Sequence, residues 1–261
     1  MTNLRVLTIG GLISYRALFG WLNPASYTLT ILIPSLTQLA FFVFLGRAAH
    51  VADDAFFVAG NALVAAAAPS LFGMAQAVAG ERYTNTLALI VVSPASRPAL
   101  FLGRALPAIA NGVVVSIWTF VIAGLLFGIT IPAHAVAPLA LTILVTAFSC
   151  VGLGLFNASL GLRWRETGVL GNILLYVLLL FAGVNVPLDR LPSWLSTAAQ
   201  GLPITHGAEA SRQLVAGASF SHVAPLIAAE ALVGVVYTAI GLTAIGLFEV
   251  EARRGATLEV A

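Results

Sequence analysis

The chain has 261 residues, of which 60% are hydrophobic and 8% charged; its 12 basic residues are all arginine, and 10 are acidic. An average soluble domain carries about 25% charged residues, so this chain has too few to cover a water-facing surface of its size. The same arithmetic excludes a disordered chain, and a single cysteine, Cys150, excludes an internal disulfide framework. A net charge of +2 gives no argument for nucleic acid. What remains is an integral membrane protein, and the apolar runs counted next make it all-α.

A helix that crosses the roughly 30 Å hydrocarbon core needs about 20 mostly apolar residues. Before the first such run, residues 4–21 predict an interfacial amphipathic helix, with Leu4, Leu7, Gly11, Tyr15, Leu18 and Leu22 near one face and Arg5 and Arg16 available for headgroups. The alternative reading makes this stretch the start of the first span. Arg5 within the short apolar stretch, and Tyr15-Arg16 where small residues would be needed, argue against a cleaved signal. Uncharged runs then predict six spans near 27–45, 56–79, 106–128, 137–160, 168–186 and 224–247. The long run 105–162 holds two of them, with the turn placed at Ile131-Pro132-Ala133-His134 and Pro138. The whole chain, 1–261, reads as one transmembrane domain, with an N-terminal segment 1–26 and polar connections at 80–105 and 187–223.

Orientation follows from arginine. With both termini on one side, that side holds Arg5, Arg16, Arg82, Arg97, Arg104, Arg163, Arg165, Arg253 and Arg254, against Arg47, Arg190 and Arg212 on the other. The bias predicts cytoplasmic termini and an external 187–223 segment.

Asp53-Asp54 is the only adjacent carboxylate pair; on an external loop it reads as solvated charge. There is no HExxH, G-x-S-x-G or CxxC, and the four histidines do not cluster at ligand spacing, so no metal site and no catalytic residue is assigned. The phosphate-cradling G-x(4)-G-K-[ST] loop is absent, so the chain itself binds no nucleotide cofactor. Glu230 is the only ionisable group inside a predicted span. Such a carboxylate is a functional candidate by default, and an ion-coupled secondary transporter using it is one reading. A carboxylate paired locally in the external headgroup zone is the other. The polar residues Gln38, Asn61, Gln76, Asn111, Asn157 and Asn172 also fall inside spans. They either line a pathway or bond between helices, since unsatisfied polar groups are costly in lipid. Gly124-x(3)-Gly128 offers a close helix approach, and Phe41, Phe42, Phe44, Phe56 and Phe57 line an apolar path or, the reading preferred, pack or face lipid.

The connection after the second span is the most patterned. Tyr83, Leu87, Ile90 and Val91 make an apolar stripe at helical spacing, with Glu81, Arg82, Asn85 and Thr86 at its polar start and Ser93-Pro94 at its end. A short helix of this kind lies on lipid or docks into a partner's groove.

The pattern G-E-R-x(3)-T-L-x(5)-S-P-x(2)-R over residues 80–97, followed by Leu102-Gly103-Arg104, resembles the ABC-2 type permeases, the six-helix membrane subunits of ATP-driven bacterial exporters. Two further segments are similar to that family in the family's order. One is Tyr15-Arg16-Ala17-Leu18-Phe19 with Trp21, Pro24 and Pro34. The other runs through Leu191-Pro192-Ser193-Trp194-Leu195, Leu202-Pro203-Ile204-Thr205-His206, Glu209-Ala210-Ser211-Arg212-Gln213-Leu214 and Gly217. The resemblance implies a multi-pass protein of the bacterial plasma membrane that works with a second permease subunit, alike or different, and with two ATPase subunits carrying ATP and magnesium. It implies that Glu81, Arg82, Thr86, Leu87, Ile90, Ser93, Pro94 and Arg97 belong to the segment that couples to the ATPase. It also implies that Pro192, Trp194, Pro203, His206, Glu209 and Arg212 belong to an external cap of short helices. An apolar interior suits an amphiphilic cargo such as a drug, lipid or peptide, while a polysaccharide-exporting permease and a non-transporting membrane scaffold stay open.

Overall fold

The computed structural model describes residues 10–11, 23–83, 97–161 and 167–255. The interfacial helix expected at 4–21 lies almost wholly outside them. Helix α1 runs Pro24–Ala49, with a π-helical turn at Thr28–Leu32. Its start is set by capping: Asn23 accepts a bond from the Ser26 amide, and Pro24 has no N–H to leave without a partner. Helix α2 is Asp54–Tyr83, α3 Arg97–Phe127, α4 Ala133–Gly161, α5 Thr167–Phe181, α6 Ser193–Ala199, α7 Thr205–Val215 and α8 Phe220–Gly255. No strand occurs among the described residues.

Five of these helices contain stretches long and apolar enough to cross a membrane: Pro24–Ala49, Asp54–Met74, Leu102–Phe127, Ala133–Leu160 and Phe220–Leu247. The fifth expected span differs. Its helix, α5, has only 15 residues, about 22 Å at 1.5 Å per residue, and residues 182–186 continue as irregular, mostly buried chain. Gly183, at φ +71°, makes the turn that leaves the helix axis. Two other expectations shift. Pro138, read as part of a turn, sits inside α4, which begins at Ala133. Gly124 and Gly128 do not seat a neighbouring helix: Gly128 takes φ +69° where α3 ends, and an added Cβ there would meet nothing within 4 Å.

Close helix approach occurs instead between α4 and α8, the pair with the most extensive packing. A Cβ on Gly152 would stand 2.8 Å from the Gly234 carbonyl, and one on Gly241 would stand 2.8 Å from Leu155 Cβ. Small residues let two backbones touch where lipid supplies no hydrophobic drive for association. Helix α2 lies between α3 and α4 in the same way: Gly112 faces the Ala66 carbonyl and Gly154 faces the Ser70 carbonyl. The apolar core runs through α2, α4 and α7, with Leu63, Leu71, Ile204 and Leu214 fully buried.

Asp53 and Asp54 are not free solvated charges. The Phe56 amide donates to Asp53 at 2.9 Å, which caps α2, and Asp54 pairs with Arg47 at the end of α1. Arg47 also lies 5.6 Å from the ring centroids of Phe44 and Phe127, tying the ends of α1 and α3 together.

Candidate functional site, a buried polar layer beneath a helical cap

After α5 the chain folds back across the ends of the helices. Residues 182–186 lead through a 3-10 turn at Leu188–Arg190 to α6 and α7. Helix α7 packs on α8, α2 and α4. It ends in a Schellman turn, with the Ala218 amide bonded to the Gln213 carbonyl at 2.8 Å and Gly217 at φ +93°. Backbone that is neither helix nor strand survives at membrane depth only where protein satisfies its polar groups, and the partners here are identifiable.

Arg212 of α7 supplies the largest share. Its guanidinium donates to the carbonyls of Gly183 at 2.6 Å, Val184 at 3.2 Å and, at the long end of the range, Phe56 at 3.4 Å. It also stacks 3.7 Å from the centroid of the Phe56 ring and stands 3.8 Å from Glu209. Burial lowers its pKa to about 10, against the opposing pull of Glu209 and Asp53; it is still fully charged at neutral pH. Gly60 makes room for this contact: a Cβ there would come within 2.9 Å of the Val184 carbonyl and 3.1 Å of Arg212. One residue on, the Asn61 amide donates to Asn185 at 2.8 Å, and Asn185 donates back to the Leu179 carbonyl at the end of α5.

Glu230 of α8 closes the other end of α7. Its side chain is fully buried. One carboxylate oxygen accepts from the Ile204 amide at 2.8 Å, the other from the Gly207 amide at 3.1 Å. Ile204 is the N-cap residue of α7, so these are the N-cap and N3 donors, the two that a capping box satisfies locally. Neither Ile204 nor Gly207 has a side chain able to do so. Ile204 also holds φ +78°, ψ −29°, a conformation that costs a β-branched residue of order 1–3 kcal/mol. Gly207 is needed because a Cβ would run into the Thr146 hydroxyl of α4.

The structure brings Asn61, Arg212 and Glu230 of the expected residues into this layer, with His206 at its edge, its Nε2 2.9 Å from the Gln200 carbonyl. The others lie elsewhere. Asn111 accepts from the Tyr27 hydroxyl between α1 and α3. Asn157 is buried near Gly171, and Asn172 is exposed and bonds the Gly168 carbonyl of its own helix. Gln38 is half-buried on α1, and Gln76 lies on α2. In the cap, Pro192 is the N-cap residue of α6, Trp194 is 71% exposed, Pro203 is buried and Glu209 is exposed. Of the coupling set, Glu81 and Arg82 end α2 and Arg97 begins α3. Thr86, Leu87, Ile90, Ser93 and Pro94 lie outside the described residues. Phe56, Gly183, Asn185, Ile204 and Gly207 carry no mark in the sequence of the parts they play here, because those parts are made by backbone groups and by residues far away in the chain.

The family model for the ABC-2 type transporter matches residues 11–216. The chain belongs to the ABC-2 type transporter family. Among curated relatives, the probable multidrug ABC transporter permease YbhR of Escherichia coli, in strains K12 and O157:H7, is 29% identical over 138 residues. That match covers 52% of this chain and 37% of the relative's length. As a member of this family with five membrane-length helices among its described residues, the chain is a multi-pass membrane protein.

Proposed function

We propose that this chain is the permease of an ATP-driven exporter in the bacterial plasma membrane. It pairs with a second permease subunit and two separate ATPase subunits that hold ATP and magnesium. The observation that carries the reading is the continuity of α2. This helix begins under the cap, where Phe56, Gly60 and Asn61 meet Arg212, Val184 and Asn185, and stays helical through Pro69 for 30 residues to Glu81-Arg82-Tyr83. At 1.5 Å per residue it is a rod about 45 Å long. Its far end opens the segment 81–97, which serves as the coupling surface through Glu81, Arg82, Thr86, Leu87, Ile90, Ser93, Pro94 and Arg97. Arginine bias puts that end in the cytoplasm and the cap outside.

The mechanism is alternating access. ATP binds the closed ATPase pair more tightly than the open one, and only such discrimination shifts the equilibrium. Movement of the ATPases displaces the segment 81–97, and α2 passes the displacement to the cap. The cargo is amphiphilic (a drug, lipid or peptide), in keeping with the apolar helices and with the multidrug name of the E. coli relative. The ion-coupled reading loses support because both oxygens of Glu230 are already engaged by backbone amides.

The test is purification of the tagged chain from its native membrane. An ABC ATPase subunit copurifies, and its recovery falls when Glu81→Arg and Arg82→Glu are combined. Absence of any ATPase, both in the purification and on reconstitution, overturns the proposal.

A further inference from the structure

Resting on the transporter reading above, we infer that Glu230 is a positioning residue that fastens the exit cap to the last membrane helix by supplying, from α8, the capping box that α7 lacks. Its carboxylate takes the N-cap and N3 amides of α7 together, Ile204 at 2.8 Å and Gly207 at 3.1 Å. A buried carboxylate seated on two amides at a helix N-terminus is placed as an anion is placed. Cations avoid that position, so Glu230 is neither a cation site nor part of the cargo path. The strained backbone of Ile204 points the same way. A left-handed, fully buried isoleucine persists only where its surroundings hold it, and the Glu230 bond to its amide is one of the restraints.

The consequence is mechanical. Helix α8 continues 25 residues past Glu230 to Gly255, about 38 Å, ending near Arg253 and Arg254. Shift or rotation of its far end reaches α7 through the carboxylate, while Arg212 fastens the same short helix to α2 and to residues 183–184. The cap helix is thus held between two long rods, and opening the exit requires one attachment to slip relative to the other. Ser149 of α4 and His206 of α7 also face the carboxylate.

The experiment uses the whole transporter in membranes, with Ser211→Cys as a reporter. Ser211 is fully buried in the cap, and the native Cys150 is buried in α4. In the protein that carries this reporter alone, a membrane-impermeant maleimide labels the introduced thiol slowly. Glu230→Gln keeps the size of the side chain but offers one acceptor oxygen where two donors need it. Loss of one charge-assisted bond corresponds to about a tenfold or greater rise in the open population, so labelling accelerates by at least about tenfold and export per ATP hydrolysed falls. Unchanged labelling with unchanged export per ATP overturns the inference. So does loss of export with unchanged labelling and a new independence from the proton gradient, which is the outcome of ion coupling. Should Glu230→Gln fail to accumulate, hydrogen exchange of the unsubstituted protein decides: the amides of residues 204 and 207 exchange among the slowest in the cap, and fast exchange there contradicts the latch. Failure of the transporter reading would show separately, as absence of an ATPase partner with the cap latch intact.

Discussion

Replacing Arg212 with alanine removes the group that satisfies the irregular chain after α5. The guanidinium makes two good bonds, to the Gly183 and Val184 carbonyls at 2.6 and 3.2 Å, and a weak one to Phe56 at 3.4 Å. Each good charged bond is worth about 1.5–3 kcal/mol, and the stack on Phe56 at 3.7 Å adds about 1–2 kcal/mol. Burying the cation opposes this: it lowers the pKa from the ordinary guanidinium value to about 10, which corresponds to about 3 kcal/mol at 1.36 kcal/mol per unit. The balance is a gain of about 1–5 kcal/mol. Truncation forfeits it and leaves two buried carbonyls without their donor, so Arg212→Ala should destabilise the protein by about that amount. Arg212→Lys should recover less than half of it, because an ammonium does not reproduce the planar fork. Thermal unfolding in detergent and the rate of proteolysis within residues 182–204 both report it. A loss under about 0.5 kcal/mol, with proteolysis unchanged, would refute the argument that Arg212 satisfies this segment.

The folded pKa of Arg212 lies below its free value, so its ionisation adds a rise of stability with pH only above about pH 10. The difference in proteolysis rate between the unsubstituted protein and Arg212→Ala is therefore flat from about pH 6 to 9, and a slope in that window would assign the contact to another titrating group. Asn61→Leu leaves Asn185 Oδ1 without its donor in the core and costs about 1–3 kcal/mol; a double-mutant cycle with Asn185→Leu should give a coupling of about 1 kcal/mol, and additivity would contradict the pairing. Gly152→Ala forces a Cβ to 2.8 Å from the Gly234 carbonyl and costs about 1–3 kcal/mol in thermal unfolding. Gly246→Ala meets nothing within 4 Å and is neutral or stabilising by under about 1 kcal/mol. Equal effects at the two glycines would argue against close packing of α4 on α8.

The membrane class, the long helices and the family resemblance are legible in the sequence because they depend on composition, run length and local pattern. Charge-free runs locate α1 to α4 and α8 well, since lipid imposes their length. They overextend the fifth span, because Ala182, Val184 and Val186 are as apolar in an irregular stretch of chain as in a helix, and hydropathy does not distinguish the two. The turn at Gly183, to which hydropathy is blind, and the donors from Arg212, 28 and 29 residues away, decide that difference. Glu230 stands out in the sequence as an intramembrane acid. Its role does not, because its partners are backbone amides of Ile204 and Gly207, 26 and 23 residues away, which have no side-chain signature. Arg212 reads as part of an external cap, and nothing local marks that its guanidinium turns inward onto the carbonyls of Gly183 and Val184. Asn61 reads as either pathway or interhelical bond, and the partner it has, Asn185 on the irregular stretch after α5, lies 124 residues away and has no local signal.

Whether this chain moves an amphiphile outward when a partner hydrolyses ATP is tested most directly by uptake of a fluorescent amphiphile into inside-out vesicles holding the chain with its copurified ATPase. ATP with magnesium drives accumulation, a non-hydrolysable analogue does not sustain it, and combined Glu81→Arg and Arg82→Glu lowers it by about tenfold or more while the chain remains in the membrane. Accumulation that proceeds without ATP under a proton gradient, or that is indifferent to both charge reversals, would contradict the account.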